Sequence, residues 1–255
     1  MSPKVSSSRP TARRMDLWTG GPSATGVVHV TNTVAVVTGG SGGVGLAMAK
    51  LLARDHHVVL SDCSGERLHR ALDELDSAGV SAESIVADVT DRRSVETLMR
   101  AAREAGPIAS VVHAPSATAR RSCTESIVRS RVLGTIHVTA ATLAVAGLGT
   151  TLVHASAHTA AAVPVSVPRW VFRLAPADPE GVVTALTRLA DLGPSRWGPA
   201  AAHALSGTFI DWYTARMAEV YIACGARLRS VTTESVLELC RDGLSPTTEP
   251  EEPAA

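Results

Sequence analysis

Val34-Ala-Val-Val-Thr38 runs straight into Gly39-Gly40-Ser41-Gly42-Gly43-Val44-Gly45, and Leu46-Ala-Met-Ala-Lys-Leu-Leu-Ala53 follows. The first run is β-branched and apolar without alternation, as in a parallel strand buried on both faces. The last has the composition and length of a helix. Glycines between them let the chain turn sharply and bring its backbone close to a pyrophosphate. The start of the helix supplies free N–H groups and a partial positive charge. A glycine loop gains meaning from lying between a strand and a helix, and this one does. Gly39, Ser41, Gly43, Val44 and Gly45 are therefore candidate phosphate-binding residues.

Outward from this turn the same rhythm repeats. Strands are predicted at Val58–Leu60, Ser84–Ala87, Ser110–His113, Thr150–Ala155 and Arg227–Thr232. Helices are predicted at Glu66–Ala78, Arg92–Ala105, about Cys123–Val145 and about Ala200–Cys224. Strands alternating with helices give an α/β fold, a doubly wound Rossmann-like parallel sheet of about six strands flanked by helices. The domain is expected to span 31–243. Residues 1–30, rich in Ser, Pro, Gly and Arg, and residues 244–255, rich in Pro and Glu, are expected to be disordered tails. The stretch 159–198 breaks the rhythm and is expected to be an insertion. Its apolar part, Val163–Phe172, suits a lid or a partner surface.

The 255 residues are 45% hydrophobic, which suits one large α/β domain. Lys plus Arg and Asp plus Glu are 24 each, so the zero net charge gives no support for a nucleic-acid binder. No apolar run is long enough to span a membrane. Arg13-Arg14 lacks the apolar run that a twin-arginine signal requires. Cys63, Cys123, Cys224 and Cys240 form no close pair and share no metal-ligand spacing with the histidines, so a reduced cytoplasmic protein without a metal is expected.

Asp62 ends the second strand, 17 residues after Gly45. An acid there suits the two hydroxyls of an adenosine ribose and repels a 2′-phosphate, favouring NAD over NADP. It also stands just before Ser64-Gly-Glu-Arg67, where it would serve as a helix cap.

Taken together these residues resemble the short-chain dehydrogenase/reductase family. Thr38–Gly45 fit its T-G-x-x-x-G-x-G turn. Asp88-Val89-Thr90-Asp91 is similar to its adenine-binding D-V-T-D stretch. His113-Ala114-Pro115-Ser116 falls where the family has N-N-A-G or H-A-A-G. Val132-Leu-Gly-Thr135 resembles its N-x-x-G-T helix segment, and His154-Ala-Ser156 its strand end bearing a catalytic serine. The resemblance covers roughly 32–234. It implies dinucleotide contacts at Asp88, Val89, His113 and Ala114, a small-molecule substrate, and a dimer through the two long helices, with a copy or with a homologue.

The second half departs from that pattern. Family members use Ser, Tyr and Lys, with an Asn holding a water. Ala202-His203-Ala204-Leu205-Ser206-Gly207 aligns with A-Y-A-x-S-K, so His203 stands at the Tyr and Gly207 at the Lys. Arg131 stands at the Asn. No substitute exists, because the only lysines are Lys4 and Lys50 and the only tyrosines are Tyr213 and Tyr221. What remains is Ser156, able to hydrogen-bond a substrate oxygen, and His203, able to move protons near neutral pH. Arg131 is read either as an anion-binding group or as the partner of an acid on a neighbouring helix. A nucleophile elbow is missing around Ser156. Two functions stay open. One is an atypical enzyme using His203 and Ser156 beside NAD. The other is an inactive homologue acting as a partner subunit or a dinucleotide-binding regulator.

Overall fold

The computed structural model describes residues 33–115, 123–156, 169–192, 198–233 and 235. The expected tails at 1–30 and 244–255 lie outside them, as do 159–168 and 193–197 of the expected insertion. The elements run β1 (Val34–Thr38), α1 (Gly43–Leu52), β2 (His57–Asp62), α2 (Gly65–Ser77), β3 (Ala82–Val86), α3 (Arg92–Ala105) and β4 (Ile108–His113). Then follow α4 (Thr124–Val145), β5 (Thr151–Ser156), α5 (Arg169–Phe172), α6 (Pro179–Asp191), α7 (Gly198–Ala223) and β6 (Arg227–Thr232). The six strands form one parallel sheet in the order β3-β2-β1-β4-β5-β6. This is the doubly wound Rossmann-like sheet expected from the sequence.

The inner strands β1 and β5 are buried along their whole length, whereas β3 and β6 at the edges are partly exposed. Burial on both faces explains the unbroken apolar run of β1, yet period two survives inside it. Val34 and Val36 pack with α3, α4 and α7, and Ala35 and Val37 pack with α1 and α2. The order of strands changes direction between β1 and β4. A crevice therefore opens at their C-terminal ends, where ligands of such sheets bind. Among the described residues no helix is long and apolar enough to cross a membrane.

The described part of the expected insertion is core, and that corrects the lid reading for residues 169–192. Asp178 caps α6 by accepting the Gly181 N–H at 2.8 Å, and Pro179 occupies the first helical turn. Val182, Val183, Leu186 and Ala190 then fall on one face and bury it among Ile127, Val132, Leu205 and Phe209 of α4 and α7. An Asp-Pro start ahead of apolar residues at helical spacing is the sequence signal for this helix. The cover has a second consequence. Leu205 and Phe209 are buried and Trp212 half-buried within this same cluster, with the Phe172 ring of α5 centred 5.5 Å from each of the two aromatic rings. Apolar residues of α4 and α7, the helices through which the resemblance implies a dimer, are thus covered largely within the chain.

Leu186→Ala should accordingly cost about 2–5 kcal/mol of stability by urea unfolding, as for any fully buried leucine. Asp178→Ala should cost about 1 kcal/mol through the lost cap. A lid would lose almost nothing in either case.

Candidate active site

At the glycine turn the sequence reading holds in space. A side-chain carbon on Gly45 would collide with the carbonyl oxygen of Gly39, so α1 can seat against the end of β1 only with glycine there. Gly42 and Gly43 are exposed, and nothing lies within 4 Å of where their side chains would project. Gly42 caps α1 without a side-chain hydrogen bond, which leaves the first N–H groups of the helix for a ligand. Val44 is half-buried against α1's core contacts.

Beyond the turn lies a cavity of about 460 Å³. One end is walled by Gly39, Asp62, Ala87, Asp88 and Val89, and the other by Arg131 and His203. Asp88 accepts the Thr90 N–H and hydroxyl, both at 2.8 Å, and holds the loop after β3 in place. Asp62 is already engaged. It accepts from the Ser41 hydroxyl at 2.5 Å, from the Ser64 N–H at 3.1 Å, and from the Arg67 guanidinium. Burial alone would push its carboxyl up. The Ser41, Arg67 and Ser64 donors outweigh it and hold the carboxyl below its usual value. Ser64 caps α2, its hydroxyl accepting the Arg67 N–H, while Asp62 accepts the Ser64 N–H and the Arg67 guanidinium and also lines the cavity.

A buried polar line connects the cavity floor to the helices. The Thr38 hydroxyl meets His113 Nδ1 at 2.7 Å, tying the ends of β1 and β4, and the Ala114 N–H donates to the Thr38 carbonyl. The His113 ring stands edge-on to His154, centroids 5.4 Å apart. His154 Nε2 lies 2.9 Å from the Thr139 hydroxyl, which itself donates to the Thr135 carbonyl. That hydroxyl's one proton is spent, so His154 carries its own proton on Nε2. Gly134 explains itself here: a side-chain carbon would sit 3.0 Å from the His113 ring and from Val89. Burial keeps both histidines neutral, His113 well below its ordinary value and His154 at about 3.

At the far end, Arg131 crosses from α4 to α7 and donates its Nε–H to the Ser206 hydroxyl at 2.7 Å. Gly207, next in the chain, carries no side chain to compete for that space. Arg131 is 3% exposed and its Nη2 has no hydrogen-bond partner. Burial lowers it to about 10, against the pull of Asp211. His203 lines the same end, and its Nδ1 is buried without a partner. Burial, then the Arg131 charge, lowers it to about 4.

Ser156 is not brought to this end. Its side chain is buried and donates to the Val231 carbonyl on β6 at 3.3 Å, and it forms no part of the cavity wall. Among the described residues Arg131, rather than Ser156, shares the cavity wall with His203. The sequence signal is an arginine at a family asparagine position facing a helix where the lysine is lost. His154 points into the polar line and takes no part in the cavity. Among the described residues no cluster suited to a metal ion exists.

The comparisons agree with this geometry. The family model for short chain dehydrogenases matches residues 33–145, the part ending just before β5. 1-Deoxy-11-beta-hydroxypentalenate dehydrogenase of Streptomyces exfoliatus is 40% identical over 72 residues, 28% of this chain and 26% of that protein. The chain thus matches about a quarter of that relative's length. In fold it is similar to an NAD+-bound xylitol dehydrogenase, with TM-score 0.55 and 20% identity over 79% of this chain and 70% of that one. It is equally similar to a variant of actinorhodin polyketide ketoreductase with NADPH, with TM-score 0.54 and 21% identity over 78% of this chain and 69% of that one. Residues 33–145 thus resemble short chain dehydrogenases in sequence, and the described chain shares the fold of solved members of that family.

The neutral histidines set a pH dependence. Their folded values lie below 6.5, so the unfolded chain takes up protons that the fold refuses. Their contribution to stability is complete above about pH 6.5 and falls as pH drops below it, by about 1.4 kcal/mol per pH unit for each group. Urea unfolding at stepped pH should show this slope between about pH 6 and 4.5, and His154→Leu should reduce it by one proton. An unchanged slope would mean that His154 titrates normally.

Proposed function

We propose that the chain is a nicotinamide-dinucleotide-binding member of this family that has exchanged the Tyr/Lys proton relay for an Arg131/His203 pair acting on a small molecule. One observation carries the reading: both residues line the same cavity as Asp62 and Gly39, the first glycine of the turn. The residues fit a dinucleotide at the Asp62 end, through the open N–H groups of α1, Asp62, and the Asp88-Val89 loop. A bound nicotinamide supplies hydride transfer. His203, neutral at pH 7, is suited to accept a proton and poorly suited to donate one. Arg131 is suited to stabilise negative charge developing on the substrate oxygen. Ordinary alcohol oxidation through a tyrosinate is not expected, because neither the phenol nor the lysine is present. The inactive-homologue reading rests on Ser156, whose hydroxyl is spent on β6. Exposed free thiols at Cys63, Cys123 and Cys224 support a reducing compartment, and we place the protein in the cytoplasm.

NAD is proposed over NADP. A 2′-phosphate would meet Asp62, while Arg67 stands ready to offset that repulsion. Calorimetric titration should therefore show NAD binding more tightly than NADP. Asp62→Ala should narrow the gap and Arg67→Ala should widen it. Equal affinities for the two dinucleotides in the unmodified protein would remove the preference.

On chemistry, activity should follow a group titrating below the ordinary histidine range, full above it and lost as His203 gains a proton. His203→Ala should lower the rate about 10²–10⁴-fold. His203→Tyr alone should not create ordinary dehydrogenase activity, since Gly207 brings no cation. His203→Ala at full rate would remove the proton-transfer role of His203.

A further inference from the structure

Three arginines wall the cavity, and two of them already have carboxylates. Arg67 is paired with Asp62. Arg129 makes two hydrogen bonds of 2.8 Å to Glu180 and lies 3.9 Å from Glu125. Arg131 is the most deeply buried of the three. It is held by the neutral Ser206 hydroxyl and feels only the charge of Asp211, one helical turn beyond Gly207. A buried guanidinium costs several kcal/mol unless its N–H groups are answered. Arg131 Nη2 is unanswered, and so is His203 Nδ1 on the facing helix. Two buried polar atoms without partners, on residues walling one end of one cavity, are better explained by a ligand than by packing.

We propose that Arg131 and His203 recognise a carboxylate on a small organic ligand, at the end of the cavity away from Asp62. The proposal rests on the reading that a dinucleotide takes the Asp62 end. A neutral alcohol or ketone would satisfy one N–H and leave the buried charge uncompensated. A carboxylate supplies both, because its oxygens accept from Arg131 Nη2 and from the Nδ1–H of a neutral His203, whose Nε2 stays free to take up a proton. The planar guanidinium fits a planar carboxylate better than an ammonium would. Ser206 fixes the guanidinium by occupying Nε, so the free edge is set before the ligand arrives. The cavity of about 460 Å³ is shared with the dinucleotide end, which keeps the acid small. Substrates without a negative charge are thereby selected against.

Benzoate and benzamide, equal in shape and different in charge, test this on the full chain by calorimetry, with and without NAD. Benzoate should bind at least about tenfold more tightly than benzamide. Arg131→Gln should remove that preference, and Arg131→Lys should restore part of it. In the unmodified protein, saturating benzoate should move the His203 imidazole titration up from about 4 by at least about one pH unit, read by NMR. This measurement stands even if the Arg131 variants do not fold. Equal binding of the two probes, or an unmoved His203, overturns the proposal. So does a benzoate site that competes with NAD while Arg131→Gln weakens both alike, since Arg131 would then read the dinucleotide's phosphates. Charge-selective benzoate binding in a protein that binds no dinucleotide supports the carboxylate site and defeats the reading of the preceding subsection.

Discussion

Much of the molecule is organised by the polar line from Thr38 through His113 and His154 to Thr139. A doubly buried parallel sheet has no water to satisfy polar side chains, so any placed there must satisfy one another. Thr38 and His113 close the crevice end of β1 and β4, the place where the strand order reverses. Thr139 passes the line to α4. Tyr221 of α7 adds its hydroxyl to the Thr139 carbonyl at 2.7 Å. Sheet, α4 and α7 are therefore held in register by hydrogen bonds as well as by apolar packing. Both helices that carry the substrate end are anchored to the same floor as the glycine turn.

That anchoring explains how the far end of the site tolerates an unusual charge. On α4, Thr135 donates to the Arg131 carbonyl at 2.7 Å, so the turn bearing the arginine is fixed from below. Ser206 donates to the Ala202 carbonyl at 2.6 Å and keeps its lone pairs for Arg131. The guanidinium thus enters space that the missing lysine side chain would have contested. Arg131 of α4 thus places a cation against α7, beside Ser206. Its effect on chemistry is the reverse of the usual one. A lysine beside a tyrosine makes a better base by favouring the phenolate. An arginine beside a histidine disfavours the imidazolium, leaving a neutral and weakly basic ring.

Legibility from sequence follows local constraint. The β1 turn and the run of six strands are readable because close backbone approach demands glycine at Gly45, and because buried strands demand unbroken apolar runs. The helix Arg92–Ala105 is readable to the residue, since Asp91 caps it and Gly106 ends it. Helix α6 escapes a reading that treats Pro only as a breaker, because that reading hides an Asp-Pro start. Ser156 is misplaced from sequence for a different reason. Period two tells which face of β5 it shares with His154, but the end of a strand can turn its side chain toward a neighbouring strand, here the Val231 carbonyl. Long-range pairings such as Arg131 with Ser206 leave no periodic trace at all.

The family match ends at residue 145, and most of the departures begin beyond it. The division has a physical basis. The first half carries a close-packed glycine turn over a floor of buried hydrogen bonds, and such packing admits few sequences. The rest of the cavity is lined by side chains of α4 and α7, among them Arg131 and His203, and such side chains can change while the helices stay packed. Burial by α5 and α6 covers the outer faces of those helices from within the chain. Residues facing the cavity, such as Arg131 and His203, are therefore not needed for the packing of the two helices on their outer side.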